Sequence, residues 1–202
     1  VLVGVVRREA VEESLGERAE KALLSVGGII GGQELRTMSL YSRSARRLVF
    51  LVPNIGLTVL SISVIAFFEQ STIKRATALA VFLPLVANLC GSSGNQAVAV
   101  SIRELSLGVA KPADLMRVFW KETFVGIITG IVLGLIVFLV VWALRSNVYL
   151  ALVVGGAVPI TILFAAVLGG TVPLALTSVG VDPAMASGPI ITTLIDFFGF
   201  LA

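Results

Sequence analysis

Histidine is absent from this sequence, and charged residues are scarce. The 202 residues include no His, one Cys and only 13% Asp, Glu, Lys and Arg. The lack of His excludes a Ser-His-Asp triad and a zinc site of the HExxH kind. The single cysteine, Cys90, excludes an intramolecular disulfide framework and a cysteine-rich metal cage.

Apolar residues are abundant instead. Hydrophobic residues make up 57% of the chain, and its mean hydropathy is +1.03. Several apolar runs reach the roughly 20 residues that a membrane-spanning helix needs. The formal net charge of +3 is too small to suggest nucleic acid as a partner. We therefore predict an all-α integral membrane protein whose partner is the lipid bilayer.

Five apolar segments are predicted as transmembrane helices. They are residues 48–68, 76–102, 124–144, 148–176 and 185–202. The fourth contains Pro159, Gly169-Gly170 and Pro173, so we expect it to tilt, kink or break. Gly188-Pro189 suits a helix start. Counted from Pro189, however, the fifth helix is only about 21 Å long, so it either starts earlier or is cut short.

The charged segments predict the orientation of these spans. Residues 1–47 are predicted to be cytosolic, with an amphipathic connecting helix at 7–24, a glycine linker, and an arginine cluster (Arg43, Arg46, Arg47) before the first span. Residues 103–122 are predicted to be a charged loop. With the N-terminus inside, 12 of the 15 Lys and Arg lie on the inner side. Five spans then place the C-terminus outside.

One carboxylate, Asp196, lies within the apolar fifth span. An Asp at the centre of a membrane helix costs about 2.5 to 3.5 kcal/mol on insertion scales, so it usually faces a bundle interior or a water-filled path. Thr192 and Thr193 precede it by four and three residues and share its side of a helix. A structural pairing of Asp196 with another polar helix is the alternative to ion or proton handling.

The second span is unusually polar at its centre. Its run NLCGSSGNQ contains Asn88, Ser92, Ser93, Asn95 and Gln96, which are costly against acyl chains. Gly91 and Gly94 would allow close packing of another helix. Packing alone does not explain Asn95-Gln96, so this run is predicted to line a pore or substrate path. The glycines of the third span, which recur every fourth residue, predict a helix-packing face instead.

Three segments together suggest a family. GSSGNQAVAVSIRELSLG, MRVFWKETFVGIITG and GVDPAMASGPIITTLIDFFG resemble, in order and spacing, the membrane domain of MgtE-type magnesium channels. REAVEES, from Arg8, is similar to that family's junction between its regulatory CBS domains and its connecting helix. Members commonly have an asparagine where this chain has Ser92, and a serine or threonine where it has Ala97. The resemblance covers nearly the whole chain.

The resemblance implies a homodimer of five-helix protomers in the cell inner (plasma) membrane. Residues 1–47 would be the connecting, or plug, helix with its linker, and residues 48–202 the ion-conducting domain. The ion path would follow the two-fold axis, lined by the second and fifth helices. The family's pore aspartate falls on Asp196, its GNQ asparagine on Asn95, and the acid before the fifth helix on Asp182. The cytosolic N domain and CBS pair would belong to a longer chain.

Magnesium is the expected transported ion and ligand. Mg²⁺ prefers oxygen ligands, keeps several waters, and is usually held by one or two carboxylates. We expect a hydrated ion to be held by Asp196 from both protomers. Asp182 and Glu69 are weaker candidates for cation sites at the mouths or for gating. The predicted pore-lining residues are Thr192, Thr193, Asn95, Gly94, Gly91 and Ser92.

Three other classes remain open at this stage. A proton- or sodium-coupled secondary transporter for divalent cations also uses a buried carboxylate in mid-membrane. A passive membrane anchor would need neither Asp196 nor the polar run of the second span. An intramembrane aspartyl hydrolase fits poorly, because it needs two carboxylates in one site. We therefore expect that the protein is not an enzyme.

Overall fold

The computed structural model describes residues 38–68 and 77–201, and over those residues helices are the only regular elements. The predicted all-α class is confirmed for this part of the chain. The predicted connecting helix and Glu69 lie outside the described residues. The helices are α1 (Leu40–Phe68), α2 (Thr77–Ala80), α3 (Leu83–Ser106), α4 (Leu115–Arg145), α5 (Val148–Ser178) and α6 (Pro183–Leu201), with a short 3₁₀ turn at Pro112–Asp114.

Four helical segments are long and apolar enough to cross a membrane. They are Leu40–Phe68, Ala78–Ser106, Pro112–Arg145 and Val148–Ser178. They correspond to the first four predicted spans. The fifth span coincides with α6, which has 19 residues and would be about 28 Å long at the helical rise. Its crossing of the membrane stays a prediction.

The chain divides into two units, residues 1–54 and residues 55–202. The described part of the first unit is residues 38–54, which are helical from Leu40. The second unit is a helix bundle with a buried apolar core drawn mainly from α3, α5 and α6. The largest fully buried apolar side chains there include Ile162, Leu174 and Ile191. This second unit contains all the site residues considered below.

Helices α4 and α5 form a tightly packed hairpin. A Cβ atom added at Gly134 would lie 2.7 Å from the carbonyl oxygen of Gly155, and one at Gly130 would lie 2.9 Å from Cα of Pro159. Real Cβ atoms do not come this close, so glycine is required for the two backbones to meet. The predicted packing face of the third span is therefore confirmed.

The hairpin turn between α4 and α5 is short because two residues close it. Ser146 adopts a left-handed backbone with φ of 50° and ends α4. Asn147 then accepts a hydrogen bond from the backbone N–H of Leu150 through its side chain, at 3.0 Å, and so caps α5. Helix α5 continues without a break through Pro159 and Pro173, both of which lie inside it. Membrane helices tolerate proline in this way.

One predicted boundary is wrong. Residues 103–122 were predicted as a charged loop, but α3 continues to Ser106 and α4 begins at Leu115. Gly108, with φ of 68°, supplies the left-handed residue that lets the chain reverse within this short connection.

The final helix starts earlier than Gly188-Pro189. Helix α6 begins at Pro183, directly after Asp182. Proline at the first helical position loses no hydrogen bond, because that N–H has no partner inside the helix. Of the two explanations for the short predicted helix, the earlier start is confirmed.

Candidate functional site

Asp196 lies on α6 with its side chain half-buried. The neighbouring Ile191 and Ile195 are 1% and 2% exposed, and they turn one face of α6 into the core. Within the part of the chain that the structure describes, the Asp196 carboxylate has neither a hydrogen bond nor an ion pair. A carboxylate in this setting is costly unless water, a cation or another chain satisfies it.

Helix α3 packs against α6 at the level of Asp196. A Cβ atom at Gly94 would overlap the side chain of Ile195, and a Cβ atom at Gly199 would lie 3.9 Å from Sγ of Cys90. These two contacts lie about one helical turn apart and show that α3 and α6 run antiparallel. Residues 90–94 of α3 are therefore level with residues 195–199 of α6. The polar run of the second span is thereby placed beside Asp196.

The polar residues of α3 divide between exposed and buried faces. Asn88, Ser92 and Asn95 are all exposed, and their spacing of four and three residues places them on one side of the helix. Gly94 is buried under Ile195, whereas a Cβ atom at Gly91 would meet nothing within 4 Å. The asparagines therefore point away from the protomer's own core. A polar stripe of this kind requires water or another polar surface in a membrane.

The two threonines before Asp196 have different surroundings. Thr192 is exposed, and Thr193 is 6% exposed. The backbone carbonyl of Thr193 accepts a hydrogen bond from the hydroxyl of Ser61 on α1, at 3.0 Å. Thr192 is therefore exposed, as Asn95 is, whereas Thr193 belongs to the interior. Their roles in lining a pore stay predictions.

The remaining candidate residues are separate from this region. Asp182 is exposed in the turn that leads into α6. Among the described residues, no group of three or more His, Cys, Asp and Glu side chains is close enough to hold a metal ion. A single protomer therefore offers Asp196 as one carboxylate, and a cation there would need water or a second chain to complete its coordination.

Sequence reasoning missed a second carboxylate, Glu122. It was assigned to a loop, but it lies inside α4, half-buried. It precedes Gly126 by four residues, and so continues the glycine face made by Gly126, Gly130 and Gly134. That spacing is the signal that would have predicted Glu122 to face the neighbouring helices.

The fold and this site define a polytopic membrane protein with carboxylates placed inside its helix bundle. A family model described as the divalent cation transporter MgtE matches residues 83–202. The chain belongs to this MgtE family, and the predicted resemblance is confirmed.

Three curated relatives are similar over most of this chain. The magnesium transporter MgtE of Bacillus subtilis (strain 168) is 34% identical over 161 residues, which are 80% of this chain and 36% of that protein. The magnesium transporter MgtE of Enterococcus faecalis is 32% identical over 200 residues, covering 99% of this chain and 44% of that protein. That of Thermus thermophilus is 32% identical over 205 residues, with the same two coverages. The chain thus spans less than half the length of these relatives.

Proposed function

We propose that this chain carries Mg²⁺ across the membrane as the ion-conducting part of an MgtE-type transporter. The proposal rests on one observation above all, the half-buried Asp196 carboxylate, which has no partner among the described residues. The family membership supports a divalent cation as the cargo. Magnesium is the ion named for the three relatives.

In the proposed pore, two protomers face each other across a two-fold axis. Each contributes one Asp196, and the pair holds a hydrated Mg²⁺ through the ion's own water ligands. Thr192 and Asn95 are both exposed and near Asp196 along their helices, so they would contact the outer waters. Ser92 and Gly91 would widen the same surface, and Gly94 would keep α3 close to α6. Thr193, which is buried, would pack behind the residues that line the pore.

Hydration explains how such a pore can select its ion. Mg²⁺ releases water reluctantly and demands nearly octahedral geometry. A site that contacts only the ion's water ligands favours an ion whose hydration shell has the right size and stays intact. Asp182, and Glu69 beyond the described residues, would raise the local cation concentration at the two mouths.

The larger architecture follows from the same proposal. Residues 1–47 would form the cytosolic connecting segment, and residues 48–202 the five-helix membrane domain, with the N-terminus in the cytoplasm and the C-terminus outside. The membrane would be the plasma (inner) membrane. A full-length protein would add cytosolic regulatory domains of the CBS kind. The protein would act as a transporter and not as an enzyme.

The test is Mg²⁺ flux into liposomes that contain the purified chain or its Asp196→Asn variant. Both proteins are measured with and without a proton or sodium gradient. Flux that needs no gradient and is lost in the variant supports the pore. Flux that depends on a gradient supports a coupled secondary transporter instead. Undiminished flux in a correctly folded Asp196→Asn variant would overturn the assignment of Asp196.

A further inference from the structure

A groove between α3, α4 and α5 lies apart from Asp196. Its volume is about 510 Å³. Glu122 lies at one end and Leu89 and Leu133 at the other. The polar residues that line it with Glu122 are Ser92, Ser93, Gln96 and Thr129. We call this cavity the Glu122 groove.

The position of Glu122 in the groove is fixed by its own packing. A Cβ atom added at Gly170 of α5 would overlap Cγ of Glu122 and lie 3.2 Å from its Cδ. The hydroxyl of Ser101 donates a hydrogen bond to the carbonyl oxygen of Gly170 at 2.8 Å, which holds α3 against the same point of α5. Three helices therefore meet at Gly170, and the Glu122 side chain lies over it.

No cationic side chain among the described residues compensates the charge of Glu122. Within the described residues its carboxylate has no hydrogen bond and no ion pair, although Lys121 is its chain neighbour. Lys121 is exposed. Glu104 carries a charge of the same sign and repels the Glu122 carboxylate. A half-buried carboxylate beside a like charge is unfavourable, and a cation bound between the helices would offset both effects.

The groove offers the ligands and the space that a hydrated cation needs. Hydroxyl and amide oxygens suit Mg²⁺ and similar hard ions, as does a single carboxylate with retained water. The hydroxyl of Thr129 donates to the carbonyl oxygen of Val125 at 2.7 Å, which leaves its oxygen lone pairs able to accept from bound water. Six waters occupy roughly 180 Å³ at liquid density, so a fully hydrated ion fits the cavity.

Glu122 and Asp196 lie at different depths and on different sides of α3. Helices α4 and α6 run in the same direction, because each reverses direction relative to α5. Glu122 lies over Gly170, to which Ser101 of α3 also bonds, whereas Asp196 is level with residues 90–94 of α3, about 12 Å away along that helix. On α3, Ser93 and Gln96 line the groove, while Gly94 faces Ile195 of α6. The two carboxylates therefore belong to different sites.

We propose that the Glu122 groove is a second cation site, which holds a hydrated divalent cation near the end of the bundle formed by the turn between α3 and α4. Glu122 supplies the charge, and Ser93, Gln96 and Thr129 bind the ion's water. The inference rests on the proposed transport function for its choice of cation. It does not depend on Asp196 being the pore residue.

Mn²⁺ binding to the whole purified chain tests this inference. Mn²⁺ alone serves as the probe, and electron paramagnetic resonance counts the bound ions. The Asp196→Asn variant is the background, so that any binding by the pore carboxylate is removed. We expect Asp196→Asn to retain about one groove-bound Mn²⁺ per chain. Adding Glu122→Gln should remove that ion, and Glu122→Asp should restore part of the binding.

Asp114→Asn in the same background is the matched control, because it removes one carboxylate outside the groove. Asp114 accepts a hydrogen bond from the backbone N–H of Lys111 at 2.9 Å and does not line the cavity. It should leave Mn²⁺ binding unchanged. Ser93→Leu, which fills the groove but keeps Glu122, provides a second route and should also abolish the ion.

Three results would overturn the second site. They are retention of the ion by folded Glu122→Gln and Ser93→Leu proteins, equal loss from the Asp114→Asn control, and absence of bound Mn²⁺ from Asp196→Asn itself. Failure of the pore assignment looks different. In that case Asp196→Asn keeps full Mg²⁺ flux, whatever the groove binds.

Discussion

The hydroxyl of Ser61 on α1 donates a hydrogen bond to the carbonyl oxygen of Thr193 on α6, across 3.0 Å. Ser61 is 1% exposed, so water does not replace this contact. In a helix the Thr193 carbonyl also accepts the N–H four residues later, in the turn that carries Asp196. The Ser61 hydroxyl therefore ties α1 to the backbone segment that positions the carboxylate.

Ser61→Ala should destabilise the protein by about 0.6 kcal/mol, the average for hydrogen bonds between membrane helices, and by no more than about 1.7 kcal/mol, the maximum. The reason is that the buried Thr193 carbonyl loses one donor. Reversible unfolding in mixed detergent micelles, followed by circular dichroism, measures this loss.

Ser63→Ala is the control on the same helix. Ser63 is exposed, and its hydroxyl bonds the Leu60 carbonyl of its own helix at 2.6 Å. Its removal should change the free energy of unfolding by less than the Ser61 substitution does. Equal losses in the two variants would mean that the contact between α1 and α6 contributes nothing specific.

Gly169→Ala should force α3 and α5 apart. A Cβ atom there would overlap the carbonyl oxygen of Gly94 and lie 2.9 Å from Cβ of Ala97. Overpacking of this kind costs about 1 to 3 kcal/mol. Since Gly94 also contacts Ile195, we expect Mg²⁺ flux to fall along with the free energy of unfolding.

Gly156→Ala on the same helix separates packing from helix propensity. A Cβ atom at Gly156 meets nothing within 4 Å. Alanine favours the helix over glycine by about 1 kcal/mol, so this variant should be as stable as the parent or more so. If Gly169→Ala behaved in the same way, the close approach of α3 to α5 would be refuted.

The sequence patterns predicted those parts of the fold that depend on local spacing. The glycines at 126, 130 and 134 predict a packing face because residues four apart lie on one side of a helix. In the structure Gly130 and Gly134 meet Pro159 and Gly155, and Gly126 meets Leu163 and Ala166. Asp196 was noticeable because a carboxylate is rare in so apolar a segment. Both signals are contained within one helix.

Other features depend on which helices become neighbours, and no single segment encodes that. Ser61 and Thr193 are 132 residues apart, and neither has an unusual local pattern. Glu122 was assigned to a loop because charged residues surround it, whereas its burial depends on Gly170 in another helix. Gly188-Pro189 and Asp182-Pro183 are both local signals for a helix start, and the sequence alone does not say that the second of these begins α6.

The rings of Phe164 on α5 and Phe198 on α6 are stacked, with centroids 4.8 Å apart and an interplanar angle of 6°. Aromatic pairs contribute about 0.5 to 1.5 kcal/mol beyond the area that they bury. A double-mutant cycle with Phe164→Leu and Phe198→Leu should therefore give a coupling energy in that range.

The control cycle pairs Phe164→Leu with Phe119→Leu, whose ring contacts Trp120 on α4 instead. Its two substitutions should be additive within about 0.5 kcal/mol. A coupling energy near zero for Phe164 and Phe198 would show that the stack does not hold α6 against α5.

Introduced cysteines distinguish a water-filled pore surface from a lipid-facing surface among exposed residues. Asn95 on α3 and Ile128 on α4 are both exposed, the latter to 65%. Cysteine is introduced at each position in a Cys90→Ser background and treated with a charged, water-soluble thiosulfonate in liposomes. Asn95→Cys should react and lose Mg²⁺ flux, because polar side chains at this depth require water. Ile128→Cys should not react, because an apolar side chain there faces lipid, and a charged reagent does not enter lipid.

Added Mg²⁺ should slow the reaction at position 95 if the ion occupies the neighbouring Asp196 site. Equal reactivity at the two positions, or none at position 95, would remove the polar stripe of α3 from the ion path.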